Sequence, residues 1–137
     1  MAEITREELL TRYKAGERDF SGLDLSGMVF GRCVLDGCNF RGANFSYADF
    51  SSWTHIMDCD FRDTTFFKAN LSHCAFSGSN FTGADMREVT FEGGEGIGVI
   101  FENVDFRGCG AIGNFVHEGT LCLRNCIGQD GRIIEQS

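Results

Sequence analysis

The 137-residue sequence contains no proline, a single tryptophan and no long run of apolar residues. A membrane-spanning helix needs about 18 or more predominantly apolar residues in succession, so no membrane contact is predicted. The first residues, MAEITREELLTRYKAGE, are charged and lack the apolar core of a secretory signal. We therefore expect a cytoplasmic protein.

Positive charge is also scarce, because 12 Lys and Arg residues stand against 20 Asp and Glu residues and give a net charge of −8. A protein that binds nucleic acid directly needs clustered Lys and Arg to neutralise the phosphates. The composition thus argues against direct contact with nucleic acid. The hydrophobic content of 42% is ordinary and predicts a folded domain rather than a disordered chain.

A large apolar residue recurs at every fifth position, a period that neither an α-helix nor a β-strand produces. The series starts at Phe20, slips by one residue within SSWTHIMDCD, skips Gly96 and reaches Phe106. A small residue usually stands two positions before each apolar one. Asp or Asn precedes it directly, and Gly often follows two positions after it.

Units such as RGANF, SYADF, FKANL and TGADM resemble the pentapeptide-repeat family over about residues 18–108. The resemblance implies an all-β fold, a right-handed quadrilateral β-helix with one pentapeptide on each side and four in each coil. The residue types suit such a tube, since one large and one small inward side chain fill each side. Asn, Asp and Gly favour the turn at each corner.

Sorting the apolar residues by side predicts a continuous ladder on the first side, formed by Phe20, Phe40, Phe61, Phe81 and Phe101. Both irregular stretches then fall on the fourth side, with one regular coil between them, on the order of 10 Å apart. We interpret them as a candidate partner patch composed of Trp53, His55, Ile56, Gly93, Gly94, Glu95 and Gly96. The pattern leaves open whether Trp53 packs against the rod or is exposed for contact.

The segments at both ends of the sequence are predicted to cap the stack of coils. Thr5 and Glu8 fit a capping box at the start of a helix over residues 5–15, so residues 1–17 are expected to cap the first coil. Residues 18–108 would form four to five coils. For residues 109–137 we expect a degenerate last coil or a C-terminal cap: Val116 and Leu121 keep the period, but Leu123 and Ile133 suit strands that close the end or pair with a second copy. A monomer and a homodimer through one end both remain open.

Neither a catalytic set nor a cofactor or metal site is predicted. The spacing of Cys109, His117, Cys122 and Cys126 lacks the tight pairs of structural zinc sites. Cys38 and Cys59 are expected to stack in neighbouring coils, near enough for a disulfide, although a cytoplasmic protein favours free thiols. The redox state of Cys122 and Cys126 is likewise left open.

The sequence therefore favours a non-enzymatic interaction module, a rigid rod that presents a surface to an unknown protein partner. The resemblance offers one alternative, because some members of the family are acidic mimics of duplex DNA that bind type II topoisomerases. The predicted rod carries one net charge per roughly 3 Å, whereas duplex DNA carries one per about 1.7 Å. Basic residues also interrupt the acidic ones, which weakens this alternative.

Overall fold

Parallel backbone bridges between successive coils organise the chain into a β-helix. The computed structural model describes residues 3–94, 96–109 and 122–136. Bridging positions recur at about every fifth residue, four to a coil. Most pair with a residue 20 positions later, as in Asp19 with Asn39 and Asp24 with Asn44. We number the walls of the coil one to four from the first bridging position, Asp19.

The one-residue slip is absorbed on wall four. The bridges of wall three still join Val29 to Asp49, 20 residues apart, whereas the next bridge joins Val34 to His55, 21 residues apart. From His55 to Ala75 the interval is 20 again. The extra residue therefore lies between Asp49 and His55, and every wall keeps its inward and outward faces on both sides of the insertion.

The interior of the tube consists of columns of stacked side chains. On wall one the five phenylalanine rings stack with centroid separations of 5.7, 5.5, 4.9 and 5.3 Å along the series Phe20, Phe40, Phe61, Phe81 and Phe101. Phe45 and Phe66 stack in the same way on wall two, 5.0 Å apart. Rings of adjacent walls meet edge to face, as Phe61 and Phe66 do at 5.3 Å. The columns fill the described core with aromatic contacts.

Gly96 interrupts the apolar column of wall four for a packing reason. A Cβ atom at Gly96 would lie 2.5 Å from Cε2 of Phe76, far inside van der Waals contact. The ring of Phe76, itself fully buried, thus occupies the volume that a side chain at position 96 would need. The ring of Phe76, from the preceding coil, therefore fills the space that an apolar side chain at position 96 would otherwise fill.

A single helix, α1 (Arg6–Lys14), covers the start of the rod. Thr5 is its N-cap, and the backbone and side chains of Thr5 and Glu8 form a reciprocal capping box. Leu9 is fully buried against the core, and the Tyr13 hydroxyl donates a hydrogen bond to the Asp36 carbonyl at 2.9 Å. The helix therefore shields apolar side chains that the first coil would otherwise expose. No helix in the described part of the chain is long and apolar enough to cross a membrane.

Three strands form a small sheet at the other end of the rod. Strand β1 (Ile100–Glu102) pairs in parallel with β2 (Cys122–Ile127), which in turn pairs antiparallel with β3 (Ile133–Gln136). Leu123 stands in register with Phe101 and is buried, so β2 extends the column of wall one. Strand β3 then lies along the edge of β2. Val116, Leu121 and His117, which entered the sequence predictions, lie outside the described residues.

Candidate protein-contact surface

The inserted residue lies in an enlarged turn between walls three and four. Residues 51–53 form this turn, and Trp53 takes up a left-handed backbone conformation with φ 59°. Thr54 then points inward, is fully buried, and donates a hydrogen bond from Oγ1 to the Gly31 carbonyl at 2.6 Å. His55 and Ile56 resume the wall, outward and inward respectively. The insertion changes the outer corner while the core continues unbroken.

Trp53 projects from this corner into solvent. The residue is 58% exposed, and its ring lies 5.4 Å from the ring of His73 in the next coil, tilted by 37°. A left-handed conformation costs a bulky non-glycine residue roughly 1–2 kcal/mol. Of the two possibilities that the sequence left open, the exposed position is the one observed.

The corner that carries Trp53 also accounts for the glycine at position 93. A Cβ atom at Gly93 would lie 2.6 Å from Nδ1 of His73, and Gly93 itself has a positive φ of 67°. The imidazole of His73 therefore lies over the glycine of the following coil, while Trp53 lies against its other side. The two irregular stretches of the sequence meet at this corner through His73.

Two shallow hollows flank the indole of Trp53. The larger, about 320 Å³, is lined by Arg32, Cys33, Val34, Trp53 and His55. The smaller, about 100 Å³, shares Trp53 and His55 and is completed by the residues His73, Cys74, Ala75 and Gly93. We define the Trp53 face as the outward surface formed by Arg32, Val34, Trp53, His55, His73 and Ala75.

The thiols beside these hollows are poor nucleophiles. Burial raises the pKa of the Cys33 thiol, an effect that the nearby Arg6 charge opposes in part, and burial likewise raises the pKa of Cys74. A thiol must be deprotonated to attack a substrate or bind a metal. The Trp53 face thus offers contact surface and hydrogen-bonding groups rather than an activated cysteine.

The structure divides the predicted patch. Trp53, His55 and Gly93 are exposed at the corner, and Gly94 is half-buried. Ile56 and Gly96 are buried, which is a correction, because both occupy inward positions of wall four where one fills the core and the other makes room for Phe76. Glu95 lies outside the described residues.

Arg32 and Val34 belong to the surface although sequence reasoning did not select them. Val34 is 50% exposed at an outward bridging position, and most such positions on the other three walls hold Asp or Asn. That substitution is visible in the sequence and could have extended the patch toward the first coil.

A second pattern missed in the sequence is the triplet Asp-x-Arg, found as DFR, DMR and DFR at residues 60–62, 85–87 and 105–107. Within each triplet the Asp and Arg side chains form an ion pair on the outside of the rod, on wall one for residues 60–62 and on wall two for the other two triplets. The Arg Nη2 to Asp Oδ2 distances are 2.7, 2.8 and 2.6 Å. The hydrogen bond from Arg62 holds the pKa of Asp60 below its usual value, and Arg107 does the same for Asp105. Three of the acidic groups on the rod are thereby neutralised by their own coil.

The remaining described cysteines are free thiols in the interior. A hydrogen bond with Cys38, together with burial, raises the pKa of Cys59, and burial raises the pKa of Cys109 to about 12. The Cys109 thiol donates to the Met86 carbonyl at 2.8 Å. Within residues 3–94, 96–109 and 122–136, no three His, Cys, Asp or Glu side chains are arranged to hold a metal ion.

Comparison with known proteins agrees with the repeat. The family described as "Pentapeptide repeats" matches in eight copies over residues 19–52 and 59–94, more than half of the chain. The match is interrupted where Trp53 and the insertion lie, and it ends just before Gly96. No curated protein matches the chain.

Among solved structures, the pentapeptide repeat protein Rfr23 from the cyanobacterium Cyanothece 51142 is similar, with a TM-score of 0.53 and 17% identity over 66% of this chain and 62% of that one. HetL from the cyanobacterium Nostoc sp. strain PCC 7120, described as involved in heterocyst differentiation regulation, has a TM-score of 0.37 and 18% identity over 85% of this chain and 55% of its own. QnrB1, a plasmid-mediated fluoroquinolone resistance protein, has a TM-score of 0.37 and 21% identity over 66% and 61%. The chain thus spans less than two thirds of each of these relatives.

Proposed function

Since the chain belongs to the pentapeptide-repeat family, we propose that it is a non-enzymatic protein-interaction module: a right-handed, four-sided rod that contacts its protein partner through the Trp53 face. The core columns make the rod a rigid support, because side chains fill the described interior and leave binding to the outer walls. A rigid wall loses little conformational freedom when it binds.

The observation that carries the proposal is the exposed tryptophan at the insertion in the repeat. Tryptophan is enriched among the residues that dominate binding energy at protein interfaces. Here it is 58% exposed, so most of its apolar surface contributes nothing to folding. The left-handed conformation does not by itself mark a site, because other corners of the rod adopt it too, for example at Asp63 and Lys68. Contact with a partner would cover the exposed indole.

Tyr47 provides a matched control for a test of this site. It is 60% exposed and has a φ of 62°, but it lies on the corner between walls two and three. In each case substitution by glycine removes an exposed aromatic group and relieves the left-handed backbone. Trp53→Gly and Tyr47→Gly should therefore both retain or slightly raise the free energy of unfolding.

Affinity capture from the native cell extract then separates the two positions. The proposal predicts that proteins retained by the wild-type chain are lost with Trp53→Gly and kept with Tyr47→Gly. Retention by Trp53→Gly, or loss with Tyr47→Gly alone, would place the contact elsewhere.

The alternative, an acidic mimic of duplex DNA, has less support. Asp60, Asp85 and Asp105 each bind an arginine of the same wall, so these carboxylates do not form an unpaired acidic row. A DNA mimic has to present closely spaced negative charge to the phosphate-binding groups of its partner.

The oligomeric state proposed for the module is a monomer or a homodimer joined at the end that carries β3. This strand pairs with β2 along one edge, and Ile133 is 61% exposed on it. Sedimentation equilibrium of the wild type and of Ile133→Lys distinguishes the two states, because a charge on this strand would weaken a dimer formed there.

A further inference from the structure

Wall four differs from the other walls in the charge of its outward positions. Its described bridging residues are Val34, His55 and Ala75, without a carboxylate among them. The other walls each carry aspartate at such positions, for example Asp19, Asp24 and Asp49. In a chain with a net charge of −8, the Trp53 face is a surface of low negative charge.

Arg32 adds a positive charge that has no counter-ion among the described residues. Of the six arginines in residues 18–108, Arg18 donates to the backbone carbonyls of Tyr13 and Glu17. Four others form ion pairs with aspartate, namely Arg41, Arg62, Arg87 and Arg107. Arg32 has no such partner among the described residues, and it is exposed. Arg32 stands three residues after the bridging residue Val29, so it does not complete an Asp-x-Arg triplet.

A second guanidinium group lies on the same corner. The Arg6 side chain donates a hydrogen bond to the Phe30 carbonyl, and its Nη2 lies 3.6 Å from where a Cβ of Gly31 would be. Its charge also opposes the burial effect on the pKa of Cys33, which lines the larger hollow. Positive charge therefore reaches the hollow from both Arg6 and Arg32.

The apolar part of the same hollow lies between Val34 and Trp53. The whole hollow, about 320 Å³, has room for a large aliphatic side chain and part of its neighbours. Arginine binds carboxylates through two parallel hydrogen bonds, which gives direction as well as energy. An apolar hollow with an unpaired arginine at its rim thus matches an apolar residue next to an acidic one.

From this charge and shape we propose that the Trp53 face binds an acidic peptide segment of the partner protein, with a carboxylate on Arg32 and an adjacent apolar side chain between Val34 and Trp53. The inference rests on the proposed function and specifies the chemistry of its partner. A basic segment would instead be drawn to walls one to three, where aspartates face outward. The contrast between the walls gives selectivity, since the other walls carry outward aspartates outside the Asp-x-Arg triplets, namely Asp19, Asp24 and Asp49.

A library of random dodecapeptides displayed on phage tests the chemistry without a known partner. The full chain is the target, and peptides that also bind Trp53→Gly are removed. The peptides retained should carry net negative charge and an aliphatic or aromatic residue beside Asp or Glu. Retained peptides that are neutral or basic would overturn the acidic preference and leave the Trp53 contact in place. If no peptide depends on Trp53, both the inference and the proposed function fail.

Synthetic versions of a retained peptide then test Arg32 itself. Trp53 is the single tryptophan, so its fluorescence reports binding at this face directly. Replacing the acidic residues of the peptide by their amides should weaken binding to the wild type about tenfold, the scale of one charge-assisted hydrogen bond. With Arg32→Gln, acid and amide peptides should bind alike. Arg41→Gln, which removes an arginine already paired with Asp63, should keep the wild-type difference. A tenfold difference that persists in Arg32→Gln would contradict the assignment.

Discussion

The replacement of Gly96 by leucine tests whether Phe76 fills the gap in the column of wall four. Leucine is the residue that the repeat would predict at this position, so by pattern alone the substitution should stabilise the rod. The structure predicts the opposite, because a Cβ at position 96 lies 2.5 Å from Cε2 and 3.0 Å from Cζ of Phe76. Gly96 is buried, and its φ lies outside the left-handed region, so the cost arises from packing and not from the backbone.

The magnitudes follow from core substitutions in general. Overpacking a filled core costs about 1–3 kcal/mol, and we expect Gly96→Leu to lose about 2 kcal/mol. Phe76→Ala alone should lose about 3–5 kcal/mol, since it empties a fully buried site. In the double variant the leucine enters the space that the ring has left. Its loss should be smaller than the sum of the two single losses by about 1–3 kcal/mol.

Urea unfolding followed by circular dichroism gives the three free energies. The urea dependence of the unfolding free energy should stay the same in all variants, so that the differences report stability. Additive losses within about 0.5 kcal/mol, or a neutral Gly96→Leu, would refute the packing argument.

Three further outcomes are expected. Phe61→Ala removes a ring stacked on both Phe40 and Phe81. Thermal unfolding should show that the free energy of unfolding falls by about 3–5 kcal/mol, and a fall below about 1 kcal/mol would contradict the stacking of Phe61 in the core column. The Arg62 hydrogen bond lowers the pKa of Asp60, so it contributes stability above the ordinary aspartate pKa near 4, and that contribution disappears as the pH falls through the lowered value. The free energy of unfolding should consequently fall less steeply with acid in Asp60→Asn than in the wild type, and equal slopes would argue against the pair. A supercoiling assay with purified type II topoisomerase should show no inhibition at micromolar protein, whereas dose-dependent inhibition would restore the DNA-mimic alternative.

The fold was predictable because the five-residue period constrains every wall at once. Phe40 and Phe61 are 21 residues apart, and only a coil that absorbs one extra residue keeps them in one column, 5.5 Å apart. A capping box is a local pattern, so Thr5 and Glu8 were sufficient to locate the start of the helix.

The surface was less predictable because exposure depends on neighbouring coils. Sequence position alone grouped Ile56 with Trp53, although the side chain of Ile56 is buried in the core and Trp53 is exposed at the corner. Gly93 and Gly96 look alike in the sequence, yet one lies under the imidazole of His73 and the other under the ring of Phe76. The charge of Arg32 became informative only when the pairing of the other arginines was known.

Site-specific photo-crosslinking tests the role of the Trp53 face most directly. A photoreactive amino acid at position 55 would stand on this face, and one at position 65 would stand two walls away, since His55 and Thr65 both occupy outward bridging positions. We expect a crosslinked protein partner from position 55, its loss when Trp53→Gly is added, and no adduct from position 65. An adduct from position 65, or one from position 55 that persists without Trp53, would show that the partner does not bind through the Trp53 face.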